Sequence, residues 1–142
     1  MVRLLIGHKG SGKTKKIVSL ANESLNTVDG SVVFISKNSR LMTDLKYNIR
    51  LICMEDYDSI TNVDEYIGFL YGIVSQDHDL ERIFIDSILK HADIKKENLE
   101  DFLARLEKIS KEHDLEFIVS ISADREELGA YIDQYEMIDL SK

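Results

Sequence analysis

Near the start of the chain an apolar run, Val2 to Ile6, passes into the stretch "GHKGSGKTKK" from Gly7 to Lys16, which leads into the apolar positions Ile17, Leu20, Ala21 and Leu25. Three glycines, one serine and four lysines lie within those ten residues. The apolar run has the continuity of a strand buried on both faces, and the later positions recur with a helical period. A strand that turns through a flexible, cationic loop directly into a helix fits few architectures. It points to an α/β chain with a parallel sheet, whose first turn is shaped for an anion.

The alternation continues to the end. The first helix is expected from Lys13 to about Asn26, and the turn Asp29-Gly30 leads into "SVVFIS", Ser31 to Ser36, a second buried strand. A weaker strand is expected around Ile49 to Met54. Thr61 with Asp64 has the form of a capping box and opens a helix with Val63, Ile67, Leu70, Tyr71 and Val74 on one face. "RIFID", Arg82 to Asp86, is the next strand. A long helix from about Ile94 to His113 turns Leu99, Phe102, Leu103, Leu106 and Ile109 inward, and "EFIVSIS", Glu116 to Ser122, follows it. A short helix from Asp124 to Gln134 and a strand around Glu136 to Leu140 complete the pattern. Short apolar strands separated by helices predict a three-layer α/β fold with a mostly parallel central sheet of about five or six strands. The length, 142 residues, suits a single domain spanning 1–142. No proline occurs, so the turns fall to Gly, Asn, Asp and Ser.

Gly7, four intervening residues and then Gly12-Lys13-Thr14 satisfy G-x-x-x-x-G-K-[ST] in the setting the motif requires, after a strand and at the opening of a helix. Glycines let such a loop curl until successive N–H groups converge on a phosphate, which also sits at the positive end of the helix dipole. Gly7, His8, Lys9, Gly10, Ser11, Gly12, Lys13 and Thr14 are therefore the expected phosphate-binding residues. Lys13 would reach the terminal phosphates, and the Thr14 hydroxyl would coordinate Mg2+. A second magnesium ligand is expected at the carboxyl end of another buried strand, where Asp86 ends "RIFID".

Charge narrows the partners. Residues 1–50 hold nine Lys or Arg against three Asp or Glu, whereas residues 51–142 hold nine against twenty-three. The basic first third suits an anionic ligand, and the acidic remainder repels a nucleic-acid backbone or an anionic membrane, so neither is expected as a partner. No apolar stretch nears the ~18 residues of a membrane span, and the run after Met1 is too short for a secretory signal, which leads to an expected cytoplasmic location. Cys53, the single cysteine, lies in the apolar run "IRLICM" and reads as a small buried thiol. His78, His91 and His113 have no metal-ligand spacing and read as surface residues.

Gly7 to Thr14 resemble a Walker A loop, and Ile83 to Asp86 resemble a Walker B strand, of the P-loop nucleotide hydrolase superfamily. Two strand-helix units separate the motifs, which resembles the RecA-like ATPase branch more than the GTPase branch. The chain is also similar to small stand-alone bacterial P-loop proteins that bind ATP. The resemblance implies ATP and Mg2+ as ligands. It further implies a strand inserted between the two motif strands, for which "EFIVSIS" is the candidate, with Ser120 or Ser122 near the terminal phosphate.

Against that pattern the water-activating residue is missing. The aspartate of the ATPase branch is commonly followed by a glutamate, but Ser87 follows Asp86, and the end of the second strand reads Ser36-Lys37-Asn38. Glu55 and, less directly, Asp124 are the acidic candidates left, although Asp124 with Glu127 also has the form of a helix N-cap pair. Arg125 or Arg40 are the candidates for a cation on the terminal phosphate, in cis or across a subunit contact. Catalysis is thus expected to rest on Lys13, with Glu55 and Arg125 as candidate helpers. His8 occupies the position of a second lysine found in MinD-like loops, and Lys9 falls one place late. Three function classes follow: an ATP-binding protein with slow or partner-stimulated hydrolysis, a small-molecule or nucleoside phosphotransferase, and a non-catalytic module in which nucleotide stabilises a surface that binds another protein. The expected macromolecular partner is a protein partner or, as a homo-oligomer, a second copy. The thymidine-kinase likeness of the first two strands stops short of that family's zinc lasso, and residues 87–100 carry three lysines and no arginine.

Overall fold

The computed structural model describes residues 1–140. Six strands form one sheet in the order β3-β2-β4-β5-β1-β6. They are β1 (Val2–Gly7), β2 (Ser31–Ser36), β3 (Arg50–Cys53), β4 (Leu80–Ile85), β5 (Glu116–Ser122) and β6 (Glu136–Met137). Every pairing is parallel, so the sheet is uniformly rather than mostly parallel. The helices α1 (Lys13–Ser24), α2 (Val63–Gln76) and α3 (Lys96–His113) cover it from both sides.

Alternation along the strands assigns each side chain to a layer. Val33, Ile35, Ile83, Ile85, Phe117 and Val119 point into the larger core with α2 and α3. Their neighbours Val32, Phe34, Phe84 and Ile118 face α1. On that side Phe34 and Phe84 stack with ring centroids 6.2 Å apart and fasten β2 to β4. Such a pair contributes about 0.5–1.5 kcal/mol beyond its burial. Strand β5 lies between β1 and β4, so the inserted strand expected from "EFIVSIS" is present. Its insertion brings the ends of β1 and β4, far apart in sequence, to the same edge of the sheet on either side of Ser120 and Ser122. That edge is where open parallel sheets hold ligands.

Several element boundaries differ from expectation for local reasons. The cap of α2 is Asn62, whose side chain accepts the Glu65 N–H at 2.9 Å, while the Glu65 carboxylate takes the Thr61 N–H at 2.7 Å. The capping pair is therefore Asn62 and Glu65 with Thr61, shifted from Thr61 with Asp64. Helix α3 starts at Lys96 rather than Ile94 because Ala92 and Asp93 have left-handed backbone, with φ of 48° and 55°. The segment from Asp124 to Gln134 is two 3-10 turns, Arg125–Glu127 and Ala130–Gln134, and not a short helix. Extended backbone at Leu128 and Gly129 separates them. Strand β6 is only two residues long, extended by one bond from the Ile138 N–H to the Leu4 carbonyl at 2.8 Å. Among the described residues, no helix is long and apolar enough to cross a membrane.

Candidate functional site

The loop between β1 and α1 is bent by glycine. Gly10 and Gly12 have φ of 88° and 91°, and Gly12 is the residue before the first turn of α1. A side chain at either position would be strained. The first turn of α1 has no side-chain cap and no acidic residue, in contrast to α2 with its Asn62. Its N–H groups therefore lack side-chain acceptors, and the positive end of the helix faces the loop. Lys13 is buried and curls back over this loop, its Nζ donating to the His8 carbonyl at 2.9 Å and to Ser11 Oγ at 3.4 Å. Burial pushes the Lys13 pKa down, Asp86 opposes that, and Lys90 adds to it.

Across the sheet edge, Asp86 follows β4 and still joins the ladder, its N–H donating to the Ile35 carbonyl at 2.9 Å. The Ser120 hydroxyl donates to Asp86 Oδ1 at 2.9 Å and accepts the Ser87 N–H at 2.7 Å. Thr14 Oγ1 donates to the same Oδ1 at 3.5 Å. Two side chains 72 positions apart in sequence thus meet. Among the described residues no hydrogen bond goes to the other carboxylate oxygen. Thr14 and Asp86 are oxygen donors suited to a hard cation, and no cluster of three or more His, Cys, Asp or Glu completes a cage among the described residues. That incomplete set fits magnesium, which keeps several waters and takes phosphate oxygens.

Burial raises the Asp86 pKa, with Ser120, Lys90, Thr14 and Lys13 each pulling it back. The folded state therefore holds this proton more tightly than the unfolded chain, and ionising Asp86 at neutral pH costs stability. Asp86→Asn should accordingly raise the stability and the Tm of the protein at neutral pH. Thermal melts at pH 7 without nucleotide would check this. A large drop would mean that the ionised carboxylate holds the fold together.

Asp86 and Thr14 open onto a cleft of about 410 Å³ whose walls include Lys37, Arg40, Ser87 and Lys90. Of the sequence candidates, Arg40 is here and Glu55 is not. Glu55 is exposed on a 3-10 turn, Met54–Tyr57, its N–H bound to the Lys37 carbonyl at 3.0 Å. It lines a separate cavity of about 270 Å³ that shares Lys37 and Lys90 with the cleft. Arg125 lies elsewhere too. It pairs with Asp133 and walls a cleft of about 300 Å³ with Ile6, Gly7, Met137 and Ile138, which shares no residue with the Asp86 cleft. The capping pair Asp124 and Glu127 is present, the Asp124 N–H meeting Glu127 Oε1 at 2.9 Å. His8 and Lys9 are exposed at the rim of the loop.

Lys37 and Lys90 were not singled out from the sequence. Both follow buried strands at the carboxyl edge of the sheet, and that position was the signal for them. His91 is a correction: it is only 1% exposed, whereas its acidic neighbourhood suggested a surface residue. Its Nδ1 lies 3.0 Å from the Tyr66 hydroxyl, Nε2 has no hydrogen-bond partner, and burial lowers its pKa to about 4. His78 and His113 are exposed and Cys53 is a buried thiol, both as expected, and burial raises the Cys53 pKa. No protein-family model matches this chain, and no curated protein matches it either.

Proposed function

We propose that this chain is a cytoplasmic P-loop protein that binds ATP with Mg2+ through Gly7 to Thr14 and hydrolyses it slowly or on stimulation by a partner. The observation that carries the reading is the convergence of an uncapped helix start, a doubly left-handed glycine loop, the Lys13 ammonium and the Thr14–Asp86 contact at 3.5 Å. Each element alone is ordinary. Together they offer N–H donors, a cation and two oxygen ligands within one turn of chain and one strand end.

The phosphates would replace the His8 carbonyl and Ser11 hydroxyl as partners of Lys13. The cleft of about 300 Å³ beside Gly7, where Ile6, Met137 and Ile138 meet the charged Asp124, Arg125 and Glu126, is the candidate position for the base. Thr14 and Asp86 would hold magnesium, which supplies charge neutralisation for the phosphates when bound. Lys13 and the loop N–H groups would stabilise charge on the departing diphosphate as water adds to the terminal phosphorus. Orienting that water falls to no glutamate. Ser87 occupies the place after Asp86, and Glu55 belongs to the neighbouring cavity, which supports slow intrinsic turnover.

Binding of ATP·Mg and phosphate release, measured for wild type and Lys13→Ala, test the reading. The variant should bind at least about tenfold more weakly. Unchanged affinity would sink it. Release that grows faster than linearly with protein concentration would indicate an arginine supplied across a subunit contact. A phosphotransferase is the second reading, supported by the ~270 Å³ cavity that shares Lys37 and Lys90 with the cleft and has room for a small acceptor. Labelled phosphate appearing on an acceptor instead of in water would favour it.

A further inference from the structure

The cleft beside Asp86 carries more positive charge than its own residues neutralise. Lys37, Arg40 and Lys90 face one carboxylate there, that of Asp86. The neighbouring cavity has the opposite balance, with Glu55, Asp58 and Asp93 against the same two lysines. Among the described residues neither Lys37 nor Lys90 pairs with a carboxylate. An unpaired ammonium beside a carboxylate-poor cleft and a carboxylate-lined cavity serves an anion in the first and has no need of one in the second.

Lys90 is also held where it is by backbone. Its N–H closes a 3-10 turn onto the Ser87 carbonyl at 2.9 Å. Ser87 has left-handed backbone, φ 57°, and its own N–H is tied to Ser120, the residue that also binds Asp86. Ile88, in the middle of the turn, is fully buried. Three of the four non-glycine residues with positive φ among the described residues, Ser87, Ala92 and Asp93, flank this turn. Such conformations persist where surrounding contacts impose them, and they gather at functional sites. The backbone that carries Lys90 is thereby locked to the residue that carries Asp86. The charge of Lys90 is felt by both principal groups of the site, lowering the pKa of Lys13 and favouring ionised Asp86.

We propose that Lys90 is the residue that recognises the terminal phosphate and so distinguishes a nucleoside triphosphate from a diphosphate. The proposal rests on the phosphate-loop reading above. Lys13 lies over the loop, bonded to His8 and Ser11, and would meet the phosphates both nucleotides share as well as the terminal one, whereas Lys90 comes from a different strand end and lines the cleft onto which Thr14 and Asp86 open. Lys90 then takes, within the chain, the part assigned from sequence to Arg40 or Arg125.

Equilibrium titrations of ATP·Mg and ADP·Mg into wild type, Lys13→Ala, Lys90→Ala and Lys90→Arg test this. Lys90 is exposed, so its variants keep the fold. Lys90→Ala should weaken ATP about tenfold and leave ADP within about twofold, and Lys90→Arg should keep most of the preference for ATP. Equal losses for the two nucleotides, or none, would overturn the role of Lys90. If Lys13→Ala loses both nucleotides while Lys90→Ala matches wild type, the phosphate-loop reading stands and this inference alone fails. If wild type binds neither nucleotide, both fail.

Discussion

Acidification from pH 6.5 to about 4 should remove roughly 3 kcal/mol of stability through His91 alone. The imidazole is 1% exposed, and its ring lies 5.9 Å from that of Tyr66. Burial is the main cause of its lowered pKa, Lys37 and Lys90 add to it, and the Asp86 main-chain carbonyl opposes it. Between the two pKa values the unfolded chain binds a proton that the folded chain does not. Stability from this residue is therefore complete above about pH 6.5 and falls as the pH drops toward 4. Urea unfolding across that range, for wild type and His91→Gln, isolates the effect, since the carboxylates common to both chains cancel in the difference. A wild-type curve that falls no faster than the variant's would refute it. The consequence reaches the site, because His91 is one residue beyond Lys90 and packs under the turn that leaves Asp86.

The other large effect is expected at Gly30. Replacement by alanine should cost roughly 3 kcal/mol. A Cβ at this position would lie 1.8 Å from the Asp79 carbonyl oxygen, which accepts the Ser31 N–H at 2.8 Å. The Gly30 N–H is itself bonded to the Glu81 carboxylate. Neither strand can withdraw without losing the pairing of Ser31 with Leu80 that starts β2 against β4. Gly72 supplies the contrast. It lies within α2 with nothing inside 4 Å of an added Cβ, so Gly72→Ala should stabilise by about 0.5–1 kcal/mol. Denaturant midpoints of both variants check the pair. A mild Gly30→Ala would show that the Asp79 turn yields.

Much of the fold was legible because its signals are local. Continuous apolar runs marked the buried strands, and the 3.6-residue period marked α1, α2 and α3. The glycine loop was legible for the same reason, since the spacing from Gly7 to Thr14 already implies a turn between a strand and a helix. Failures came where a local rule met a competitor. Asn62 outcompeted Thr61 as the cap of α2. The segment from Asp124 to Gln134 has helical composition, yet extended backbone at Leu128 and Gly129 divides it into two turns. His91 sits among charged residues, but its ring is buried against Tyr66, a residue 25 positions away that no local pattern brings to it.

The sequence by itself determined a three-layer α/β chain and the cationic glycine loop between its first strand and first helix, because both depend on residues that are neighbours along the chain. It also marked Asp86 as a strand-end carboxylate. Only the tertiary structure decided which groups share the loop's cleft. Strand order placed β5 between β1 and β4, so that Ser120 binds Asp86 and Thr14 reaches it, with Lys37 and Lys90 facing the same space. The same order sent Glu55 and Arg125 into other cavities. Periodicity tells a side chain which face of its element to occupy. Which strand ends meet depends on long-range pairing, and no window of sequence contains that.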